Sequence, residues 1–74
     1  MYKIQSILFD KHKYNIRKAT MFLKNNHYKH NKVDETTNFY RFRQINPQIL
    51  KRDGYKKIIT KTIASGIEFI IYYK

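Results

Sequence analysis

The chain has 74 residues, no cysteine, and 16 Lys+Arg against 5 Asp+Glu, a formal net charge of +11. This length sets the expectation of one small domain spanning residues 1–74, burying only about 60% of the surface its unfolded chain exposes, and the missing cysteines exclude a disulfide framework or a thiolate zinc site. A hydrophobic share of 42% and an aromatic share of 16% exclude a disordered basic tail, while the charge points to polyanions: nucleic acid, an anionic membrane or an acidic protein surface.

Lysine number alone is weak support for binding. Lys, Ile, Tyr, Asn and Phe dominate the chain, and all five are encoded largely by A/T-rich codons, so base composition alone could inflate the lysines. The placement of the few arginines carries more weight. No run reaches about 18 apolar residues, so no membrane span is expected, and the start lacks the long apolar core of a secretory signal.

Taken in order, Tyr2–Phe9 alternates as a strand, with Tyr2, Ile4, Ser6 and Leu8 on one face and Lys3, Gln5, Ile7 and Phe9 on the other. Asn15 is positioned to cap a helix that runs to Asn25–Asn26. Its apolar stripe is Ile16, Ala19, Phe22 and Leu23, and its solvated side is Arg17, Lys18, Lys24 and Asn25. A hairpin is expected from about Tyr28 through Gln44, turning at Asp34–Asn38.

Asn46–Pro47 ends that hairpin, and Gln48–Leu50 has room for one helical turn. Asp53–Gly54 is a turn signal, Tyr55–Ile63 is a strand rich in β-branched residues, and Ala64–Gly66 turns into a final strand, Ile67–Tyr73. The density of apolar residues in this last run predicts an interior place in the sheet. The expected fold is α+β: an antiparallel or mixed sheet of four to five strands with one amphipathic helix packed on one face.

The most informative stretch is Asn38-Phe39-Tyr40-Arg41-Phe42-Arg43-Gln44. As a strand it sets Phe39, Arg41 and Arg43 on one face and Tyr40, Phe42 and Gln44 on the other. Two guanidiniums about 7 Å apart match the scale of adjacent phosphates, and Phe39 beside them could stack a base. Lys3 and Gln5, or Tyr72 and Lys74, extend that platform if the first and last strands flank it. The competing reading ties Arg41 and Arg43 into surface ion pairs with Asp34, Glu35 or Glu68. Arg17, Lys18 and Lys24 form a second cationic candidate, suited to phosphates without base discrimination.

The framework Phe9-Asp10-Lys11, the helix carrying Ala19 and Leu23, then Tyr28-Lys29, Lys32-Val33-Asp34-Glu35-Thr36, Tyr40-Arg41-Phe42-Arg43-Gln44 and Gly66-Ile67, resembles a small module of tailed phages and large DNA viruses. The Tyr40–Gln44 segment is its most specific part, and Phe22 departs from it, standing where a tryptophan is more frequent. The resemblance implies a viral origin, no assigned enzymatic activity, and a place inside the infected cell or packaged in the virion.

His12, His27 and His30 lack metal-site spacing, and the five carboxylates are scattered, with neither a Gly-rich phosphate loop nor a nucleophile elbow. No metal, no cofactor and no catalysis are expected. The reading is a non-enzymatic protein that binds nucleic acid, DNA before RNA, with low sequence specificity and without membrane contact. The alternative is a virion structural or interaction module that pairs with itself or with an acidic protein.

Overall fold

The first strand is central to the fold: it pairs with a neighbour on each side and carries a helix over one face. In the computed structural model, which describes all of residues 1–74, β1 (Tyr2–Asp10) is followed by α1 (Ile16–Asn25), β2 (Asp34–Glu35) and β3 (Phe39–Arg43). Then come α2 (Pro47–Arg52), β4 (Lys57–Ala64) and β5 (Ile67–Tyr73). The strands form a single sheet in the order β2-β3-β1-β5-β4, antiparallel throughout. The fold is α+β, and the final strand is interior, held between β1 and β4.

Helix α1 covers one face of this sheet. Ala19 and Leu23 are buried against Ile7, Phe9, Phe42, Ile67, Phe69 and Ile71. Phe9 lies at the centre, edge-on to Tyr14, Phe22 and Phe42 at 5.3, 5.7 and 5.7 Å between ring centroids. Such T-shaped contacts add about 0.5–1.5 kcal/mol each beyond area burial. Ile16, expected on the apolar stripe, is 39% exposed, so the buried stripe begins one turn later. The Asn15 cap forms as expected, with the Lys18 N–H donating to Asn15 Oδ1 at 2.8 Å.

The helix ends at the paired asparagines, with Asn25 its last residue and Asn26 its cap. His27 takes the left-handed conformation (φ 62°), its N–H donates to the Lys24 carbonyl, and the Tyr28 N–H reaches back to the Leu23 carbonyl at 2.8 Å. This is the double bond of a Schellman ending, which leaves Tyr28 to pack on Phe69.

Plain alternation fails in β1 at one place. Ile4 pairs with Ile71 while Ser6 pairs with Ile70, so Gln5 is an extra residue bulged out of the β1–β5 ladder. Tyr2 and Ile4 therefore share the α1 side with Ile7 and Phe9 rather than facing away with Ser6 and Leu8. Gln5 is buried, and its groups are satisfied locally. Ser6 Oγ donates to Gln5 Oε1, Gln5 Nε2 donates to the Ile45 carbonyl, and the Gln44 and Ile45 N–H groups donate to the Gln5 carbonyl.

One further expectation is corrected. Residues 28–33 form no strand; pairing with β3 begins only at Asp34–Glu35, and the turn shrinks to 36–38, closed by the Thr36 N–H on the Phe39 carbonyl. The helical turn expected at Gln48–Leu50 forms as the second helix, α2. Asn46 caps α2 by accepting the Gln48 N–H, and Pro47 at its first position is already set to a helical φ. Leu50 then packs with Tyr55 and Tyr72 on the face opposite α1, so each face of the sheet carries a helix.

Candidate nucleic-acid interface

Strand β3 sets the arginines as alternation requires. Phe39, Arg41 and Arg43 face away from α1, opposite Asp10, Leu8 and Ser6 of β1. Their environments differ sharply. Arg41 sits between Leu8 and Asp34, and its Nη2 lies 3.5 Å from Asp34 Oδ2. Its Nε is buried with no acceptor, and the same cross-sheet row continues through Leu8 to Glu68. A cation paired with a carboxylate offers little net field to a distant phosphate. For Arg41 the ion-pair reading holds.

Arg43 is different. It is exposed, it has no carboxylate within ion-pair distance, and it opens onto a depression of about 360 Å³ lined by Lys29, Asn31, Lys32, Arg43, Gln44 and Asn46. Three cations and three amides line it, and no acidic side chain does. Like charges gather here because the backbone is pinned. The buried Gln44 side chain accepts the Lys29 N–H on Oε1 at 2.8 Å and donates from Nε2 to the Lys29 carbonyl at 3.0 Å. One amide side chain thus replaces the partner strand that residues 28–33 lack, and it brings Lys29 beside Arg43.

The other expected residues are scattered around this point. Phe39 is half-buried rather than an open stacking surface. Lys3 is exposed on the arginine face, returned there by the Gln5 bulge, but its cross-strand neighbour Tyr72 lies beneath Leu50 and Tyr55. Tyr72 is therefore no part of an open platform. Strand β5 does not flank β3, whose neighbours are β1 and β2. Arg17, Lys18 and Lys24 are exposed on α1, across the sheet from Arg43. Arg43 and the α1 cations therefore lie on opposite faces of the sheet.

Asp10, at the Phe39 end of the row, is held as a carboxylate. The backbone N–H of His12 donates to its Oδ1 at 2.8 Å and keeps its pKa below the usual Asp range, with smaller help from the His12 ring and Lys13. No three His, Asp or Glu side chains converge where a metal ion could be held. Lys29, Lys32, Asn31 and Asn46 were not anticipated; the Lys29-x-x-Lys32 spacing is visible in the chain, but nothing local aims it at Arg43. No family model, curated protein or solved structure matches the chain.

Proposed function

We propose that this is a non-enzymatic nucleic-acid-binding protein of a DNA virus, gripping the phosphate backbone with low sequence specificity through Arg43, Lys29 and Lys32. The observation that carries the reading is the depression in which these three cations converge with no carboxylate among them. Guanidinium and ammonium groups reward phosphates of any sequence, and Asn31 and Asn46 can donate to sugar or phosphate oxygens as readily as to a base. A viral setting, inside the infected cell, is supported by the resemblance of the Tyr40–Gln44 segment. DNA is favoured over RNA on the same ground.

Fluorescence anisotropy with labelled single- and double-stranded DNA and RNA across a salt series tests the proposal. Wild type should bind with a steep negative salt slope. An Arg43→Ala/Lys29→Ala/Lys32→Ala variant should lose affinity for every sequence alike and flatten the slope by about two to three units, near 0.9 per duplex phosphate contact. Arg17→Ala/Lys18→Ala/Lys24→Ala and Arg41→Ala should change it much less. Absence of binding at physiological salt, or a slope the triple variant leaves intact, refutes the reading.

A further inference from the structure

The sheet has two edges of very different character. Strand β2 ends one side after two residues, and its carboxylates are engaged: Asp34 with Arg41, Glu35 with Lys11. Strand β4 ends the other with eight residues, uncovered along its outer side. The Asp10 N–H donates to the Gly66 carbonyl, which marks these two as a bonded pair of the β1–β5 ladder. Antiparallel bonding alternates, so Glu68 and Ile70 also turn their main-chain groups to β1, and Phe69 and Ile71 turn theirs to β4. Ile59 and Lys61 are therefore bonded to β5. Ile58, Thr60 and Thr62 direct their N–H and C=O groups outward, unpaired.

Beside this edge, on the α1 side of the sheet, lies an apolar depression of about 290 Å³ formed mainly by Tyr2, Ile4, Ile63, Phe69, Ile71 and Tyr73. Lys61 stands at its rim, and a neighbouring hollow joins Lys57 and Lys74 to Ile59 and Tyr73. No carboxylate lines either one. We propose that the β4 edge is a docking site for an extended acidic peptide of a partner protein, which adds a sixth strand to the sheet. Main-chain bonds at Ile58, Thr60 and Thr62 would supply affinity, and alternate side chains would supply specificity.

Register fixes the chemistry of the peptide. On the α1 side it meets Lys57, Ile59, Lys61 and Ile63 in turn, so carboxylates must alternate with apolar side chains along that face. Charge argues against a second copy, which would bring another +11 and the same lysines to the seam. Lysines on an edge resist self-pairing while still admitting an acidic strand. A nucleic-acid strand has neither the main-chain pattern nor the apolar side chains to use this groove.

The test is an NMR titration of the full chain with a peptide of sequence Ile-Thr-Glu-Thr-Ile-Val-Glu, beside the same peptide with Lys replacing Glu. The acidic peptide should shift the signals of β4, Tyr2 and Tyr73. It should slow amide exchange at Ile58, Thr60 and Thr62, leaving Ile59 and Lys61 as protected as before. Thr60→Pro removes an outward N–H and no β5 bond, and should weaken binding at least tenfold with the fold kept. Lys57→Glu/Lys61→Glu should reverse the preference between the two peptides, and it decides the matter if the proline variant does not fold. Absence of binding overturns the proposal, as do shifts centred on Arg43, Lys29 and Lys32, or a preference the charge reversal leaves unchanged.

Discussion

Replacing Gln44 with leucine isolates the one side chain that joins fold and site. The substitution keeps volume but removes the acceptor for the Lys29 N–H (2.8 Å) and the donor to the Lys29 carbonyl (3.0 Å), with a longer contact to the Phe42 carbonyl (3.3 Å). At about 1 kcal/mol net per good bond, Gln44→Leu should destabilise by about 2 kcal/mol. The value rises toward about 4 kcal/mol if water cannot reach the orphaned Lys29 groups. A domain of this size has total stability of roughly 4–11 kcal/mol, so at a cost of about 2 kcal/mol it should stay folded, with Tm lowered by about 8–16 °C. Thermal melts measure the first part. The second is read by anisotropy, where the salt slope should flatten by about one unit as Lys29 loses its fixed place beside Arg43. A variant with wild-type Tm and wild-type slope would refute both the clamp and its role in gathering the cations.

Three other outcomes are expected. His27→Gly should raise stability by up to about 1 kcal/mol in denaturant titrations, since φ of 62° strains a side chain and not glycine. Gly66→Ala should destabilise by about 2 kcal/mol or more: φ is +84°, and the new Cβ would meet Lys13 and Tyr14 side-chain atoms at 3.0–3.1 Å. Asp10→Asn should lower stability at neutral pH, because a carboxylate whose folded pKa is depressed contributes above its unfolded pKa and loses that contribution as pH falls through the folded value. Melts of both proteins should therefore converge only below the ordinary Asp range; a gap independent of pH would show that charge is not the cause.

Strand positions were legible because runs such as Ile58–Ile63 and Ile67–Tyr73 leave β-branched and aromatic side chains no better arrangement. Helix α1 was legible from Asn15 and the Ala19–Leu23 stripe. The Gln5 bulge was not, because a strand's phase against a neighbour is decided by pairing and not by its own alternation. Residues 28–33 misled for a related reason. The Lys29 main-chain groups bond to a side chain fifteen residues away, and no local pattern announces that. In the site, Arg43 could be read from its strand, and Asp34 was among the partners anticipated for Arg41. Lys29 and Lys32 became neighbours of Arg43 only through Gln44.

The bulge gives β1 an unusual tolerance. In an ordinary strand, removing one residue swaps the faces of everything on one side of the cut. Losing Ile7, for instance, would turn Tyr2 and Ile4 out of the apolar layer and Lys3 into it. Losing Gln5 would leave every remaining side chain where it is now, because that residue is already surplus to the ladder with β5. What would come undone is the joint to Ile45, where Gln5 holds the chain entering α2. Strand β1 therefore has a single position at which its length can change without its sense, and there the damage passes to the small helix and spares the sheet.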